Sequence, residues 1–60
     1  MTRKDYVAIA AALVQALKYC ETQNQRRGVE RAALCISNVM ADDNMLFDRA
    51  RFLKACGISD

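Results

Sequence analysis

Between Asp43 and Ile58 the chain carries the start and stop signals of one short helix, DNMLFDRARFLKACGI. A helix bracketed this closely can only close a structure whose bulk lies elsewhere. Asp48 is placed as its N-cap, with Phe47 before it and Phe52 at the fourth helical position, the spacing of a hydrophobic staple. Lys54 suits the negative end of the helix dipole. Gly57 fits the position after the cap, where a left-handed residue ends a helix, and Ile58 can reach back to Leu53. Met45 and Leu46, in the link before this helix, are expected to plug the open end of the hairpin that precedes it.

Upstream, nothing interrupts helix. Proline is absent and Gly28 and Gly57 are the only glycines among sixty residues, 53% of them hydrophobic. Helix is therefore favoured over sheet or disorder. Thr2 reads as the first N-cap, with Asp5 three residues on in the capping-box position. Tyr6, Ile9, Ala10, Leu13, Ala16, Leu17 and Cys20 then recur at helical spacing. Val7 and Val14 widen that stripe on one flank, beyond what a single neighbouring helix would cover. Tyr19 lies on the far side among polar residues and is read as an exposed aromatic.

Glu21 to Gly28, ETQNQRRG, is the polar break. A turn near residues 22–26 is expected there, with Thr22 and Gln25 as a possible capping box and Gly28 as a possible loop marker. In the second helix Val29, Ala32, Ala33, Ile36, Val39, Met40 and Asp43 share one side. Leu34 lies well off that stripe, either as a lone exposed leucine or as part of a second packing surface. The expected helices are about 3–21, 25–42 and 49–56, in a single domain spanning residues 1–60.

A chain this short buries a thin core, and an alanine-rich first helix adds little to it. Small domains meet that deficit with disulfides, a metal or self-association. Cys20, Cys35 and Cys56 are odd in number and lack Cys-x-x-Cys spacing, and there is no histidine. The reading is three reduced cysteines acting as small hydrophobes, with a Cys20–Cys35 bridge geometrically conceivable. Self-association, as a homodimer, is the remaining remedy. The basic start followed by Val7–Val14 looks superficially like a signal peptide. The apolar run is short, however, and Asp5 and Tyr6 interrupt its approach, so a cytoplasmic protein is expected. No apolar stretch approaches the length of a membrane span.

The chemistry-bearing residues are few. No histidine is present to act as a general base and no glycine-rich phosphate loop exists, so no enzyme is expected, no catalytic residue is assigned and no cofactor is implied. Asp42, Asp43 and Asp48 could recruit a divalent cation, but a solvated capping cluster is the commoner outcome, and no metal site is assigned. Arg26, Arg27 and Arg31 form the one basic cluster. It reads as a contact for an anion or acidic partner, or as a solvated turn partly neutralised by Glu30. A net charge of +2 is small for a nucleic-acid module. A helix-turn-helix DNA reader would need base-reaching residues on the second helix (Arg31, Ser37, Asn38) or on the short third one (Arg49, Arg51, Lys54). Nucleic acid is therefore not the expected partner.

Both ends of the chain resemble a group of short uncharacterised proteins from tailed phages and prophages. Those proteins begin Met-Thr-(Arg/Lys)-Lys-Asp-Tyr with a nearby Ile-Ala pair, matched by Thr2, Arg3, Lys4, Asp5, Tyr6, Ile9 and Ala10. They end in an Asp-Asn-Pro-x-Phe-Asp-x-x-Arg-Phe-Leu-x-Ala-Cys-Gly segment, matched by Asp43, Asn44, Phe47, Asp48, Arg51, Phe52, Leu53, Ala55, Cys56 and Gly57. Met45 stands at the proline, and Gln15–Ala41 lies outside the resemblance. The resemblance implies a phage origin and an accessory role, binding and altering a host protein, at times a defence protein. It supplies no catalytic or binding residues. From the residues themselves, an all-α fold is expected: an antiparallel two-helix hairpin closed by a short third C-terminal helix, assembled as a homodimer. Function is expected through protein–protein binding, with Val7, Val14, Tyr19 and Leu34 as candidate interface and Arg26, Arg27 and Arg31 as candidate partner contacts. A small DNA-binding regulator using the basic turn at Arg26, Arg27 and Arg31, and a minor structural or assembly component, are the alternatives.

Overall fold

The computed structural model of the protein describes residues 2–58. It is all-helical, with α1 (Arg3–Lys18), α2 (Gln23–Asp43) and α3 (Arg49–Ala55), and no strand among the described residues. α1 and α2 form the hairpin, and α3 packs against both of them. The body measures 34 × 18 × 15 Å.

Local signals set the helix ends. The Asp5 carboxylate accepts the Thr2 backbone N–H at 2.9 Å, occupying one of the donors that the first turn of α1 cannot pair internally. α1 stops at Lys18, short of residue 21, where Cys20 N–H turns back to the Leu17 carbonyl at 3.2 Å. α2 begins earlier than expected. Thr22 is its N-cap and accepts the Gln25 N–H at 3.1 Å, while the Gln25 side chain accepts the N–H of Glu21 rather than that of Thr22. Gly28 consequently lies inside α2 and not in a loop.

α3 follows its sequence signals closely. Asp48 accepts the Arg51 N–H at 3.0 Å, and the Phe47 and Phe52 rings meet at 5.5 Å. At the other end Gly57 has φ +82°, Ile58 N–H bonds to the Leu53 carbonyl and Gly57 N–H to that of Lys54. That pair of bonds is the Schellman ending, and a Cβ at residue 57 would strain it.

The core is concentrated where α3 meets the hairpin. Ala10, Ala33, Met40, Phe52, Leu53 and Cys56 are buried together, with Tyr6, Ile9, Leu13 and Phe47 packed around them. Burial pushes the Cys56 thiol above its usual pKa. On α1 the expected stripe holds, except that Ala16 is exposed. On α2 the buried side is turned away from the expected one by roughly 70°, at about 100° per helical residue. Ser37 is fully buried beside Ala33 and Met40, whereas Ala32, Asp43 and Val39, the last 68% exposed, face outward. A polar residue survives there because its hydroxyl is paired twice: Ser37 Oγ donates to the Leu34 carbonyl at 2.7 Å and accepts from Arg49 Nε at 3.2 Å.

Met45 and Leu46 do not plug the hairpin; they are 97% and 91% exposed. Residues 44–47 form a turn closed by Phe47 N–H on the Asn44 carbonyl, and the two middle residues point outward. Phe47 does the plugging instead, its ring centroid 4.8 Å from that of Tyr6.

Candidate protein-binding surface

A groove runs between α1 and α3. Its wider end, about 420 Å³, is lined by Val7, Ala10, Leu46, Phe47, Phe52 and Ala55, with Arg3, Arg51 and Asp48 at the rim. A second hollow of about 400 Å³ continues it along α1 past Ala11, Val14 and Gln15, sharing Val7, Ala10 and Ala55. The two form one apolar trough with a floor of small side chains, suited to the close approach of another helix.

Each wall has a local cause. On α1, Val7, Ala11 and Val14 recur at i, i+4 and i+7, offset from the buried Ala10 and Leu17, so they form a second face beside the core. Val7 is 62% and Val14 41% exposed. At the open end two hydrogen bonds shape the turn: Asn44 Oδ1 accepts the Leu46 N–H at 3.0 Å, and Asn44 Nδ2 donates to the Tyr6 hydroxyl at 3.4 Å. Leu46 is thereby presented to solvent. Asp48 caps α3 through one carboxylate oxygen and keeps its charge, so the rim carries Arg3, Arg51 and Asp48 together.

The sequence-derived residues divide among several places. Val7 and Val14 lie together in the groove. Tyr19 is 77% exposed but sits at the C-cap of α1, outside the groove lining. Leu34 is half-buried against the main core, so it belongs to the chain's own packing and Leu34→Asp would report on folding. Arg26, Arg27 and Arg31 are exposed in the first part of α2, with Arg26 Nε 3.7 Å from Glu30. An exposed pair of that kind contributes little to stability.

Arg3 and Ala55 carry no signal of this surface in the sequence, and Leu46 and Arg51 are expected in other roles. They come together only once α3 folds back across α1, and no spacing along the chain encodes that. Among the described residues no group of three or more His, Cys, Asp or Glu side chains is gathered as a metal site would need. All three cysteines are free: Cys35 exposed, Cys56 buried and Cys20 between, its thiol on the Ala16 carbonyl. Among the described residues no helix is long and apolar enough to cross a membrane. No family model matches the chain, and no curated protein or solved structure is significantly similar to it.

Proposed function

We propose that this chain is a small non-enzymatic accessory protein of phage type that acts by protein–protein binding, assembled as a homodimer and working on a host protein in the bacterial cytoplasm. The observation that carries the binding role is the α1–α3 groove, in which Val7 and Leu46 stand exposed over an apolar floor. Exposed apolar patches rimmed by polar residues mark interaction surfaces. The accessory and host-directed part rests on the phage-protein resemblance at the two chain ends. The histidine-free composition supports a binding role over catalysis.

The helix-turn-helix form of the DNA-reading alternative is weakened by two observations, while the form that uses the exposed Arg26, Arg27 and Arg31 is tested by replacing those arginines. Ser37 is buried rather than available to a base, and the Arg49 guanidinium is drawn back onto it. α3, at seven residues, is short for a recognition helix.

Site-specific photocross-linking in a bacterial host tests the binding role. A photoreactive residue at position 7 or 46 is expected to give discrete covalent products with a polypeptide, whether a second copy or another protein. The same probe at Asn38, exposed on α2, is expected to give none. Equal labelling from all three positions would contradict the groove as the binding surface.

A further inference from the structure

Resting on that protein-binding reading, we infer that the groove's occupant is a second copy of this chain. The two α1 helices would lie antiparallel about a two-fold axis at Ala11, with Val7 of each copy against Val14 of the other. Two observations select this occupant. The first is area. The chain exposes 4660 Å² for its 6.7 kDa, about 750 Å² above the roughly 3,900 Å² that the surface–mass relation of folded monomers gives. A standard interface takes about 800 Å² from each partner. The excess is of the size that one half of a dimer interface covers, and Val7, Val14 and Leu46 are among the exposed apolar side chains that a copy in the groove would cover.

The second observation is symmetry within the groove. Val7 and Val14 stand at nearly equal distances along α1 on either side of Ala11, and all three line the trough. A two-fold rotation at Ala11 thus presents the same projections to the same hollows, which is the requirement for an isologous contact. Alanine at the crossing lets the helix axes approach to about 8 Å. The partner's Val14 then falls beside Val7, toward the end of the groove where Leu46 and Ala55 stand. The ends of this seam bring Lys4 near Lys18 of the partner helix. Like charges meet there, so added salt strengthens this dimer instead of weakening it. The Arg26, Arg27 and Arg31 cluster stays uncovered and available to a different partner.

Disulfide trapping tests the arrangement. The background is Cys20→Ser with Cys35→Ser, retaining the buried Cys56, and each variant is first checked for unchanged helicity by circular dichroism. Ala11→Cys should become a covalent dimer under mild oxidation, because axes about 8 Å apart place the paired Cα atoms within the roughly 4.4–6.8 Å that a disulfide spans. Val7→Cys and Val14→Cys chains should cross-link when mixed, and neither alone. Cross-linking of each alone would mean a parallel pair and overturn the antiparallel assignment. A dimer by light scattering that Ala11→Cys fails to trap would mean that another face pairs the copies, overturning this inference while leaving protein binding intact. A monomer at every concentration would remove the second copy as occupant; cross-links from position 7 or 46 to a different protein would then still sustain the binding reading, and their absence would end it.

Discussion

The two ends of the molecule are built differently. At the α3 end, Met40, Phe52, Leu53 and Cys56 are buried and the Tyr6, Phe47 and Phe52 rings meet in succession at tilted angles. At the hairpin turn, Leu17 is the one buried side chain of the last turns of α1, and residues 21–28 are all exposed. Local hydrogen bonds are plentiful at both ends, yet only one of them has a core behind it. The contrast teaches that α3, despite its seven residues, organises the molecule: it supplies the largest buried side chains and one wall of the groove. The turn end is held by capping and helix propensity alone and is the first place to open.

Core truncation should show the largest difference. Phe52→Ala is expected to cost about 3–5 kcal/mol, enough to unfold a domain of this size. Leu17→Ala should fall near the lower limit of about 2 kcal/mol for such changes. Chemical denaturation of both variants checks the comparison, and equal losses would break it.

Gly28 sharpens the comparison from the other side. It sits inside α2 with open space where a Cβ would go. Gly28→Ala should therefore stabilise the turn end by about 0.5–1 kcal/mol, read as a higher melting temperature with an unchanged association state. Loss of stability there would mean that something packs against this part of α2.

The smallest effect concerns pH. Burial raises the Cys56 pKa in the folded chain above its ordinary value of 9.0. Below that value both states hold the proton, and the packing of the neutral thiol contributes in full. As pH rises past it, the unfolded thiol ionises while the folded one does not, so stability declines up to the folded pKa and then levels. Cys56→Ala should flatten this part of the profile in denaturation measured between neutral and strongly alkaline pH. The exposed Cys35 should meanwhile react first with a thiol reagent and Cys56 last.

The contrast between the ends also explains what could be read from sequence. α3 was legible because its cap, staple and Schellman ending link residues no more than five apart, so spacing alone encodes them. The buried side of α2 was not. Its apolar stripe pointed toward Val39, but α3 covers Ser37, whose hydroxyl is satisfied by Leu34 and Arg49. A buried serine with two partners leaves no hydropathy signal. Met45 and Leu46 misled for the opposite reason: their hydropathy suggests burial, while the turn fixed by Asn44 points them outward. Of the candidate surface, Val7 and Val14 showed as excess width on α1. Leu46, Arg51 and Ala55 joined them through the placement of α3, a tertiary fact without a local signature.

The most direct measurement is the solution mass of the purified protein by light scattering across dilution under reducing conditions, for the wild type and for the Val7→Asp, Val14→Asp double variant. The account predicts a wild-type mass twice the 6.7 kDa of one chain, rising in stability with salt, and a double variant that stays helical at the mass of one chain. A wild-type monomer at all concentrations, or a double variant that still pairs, would contradict it.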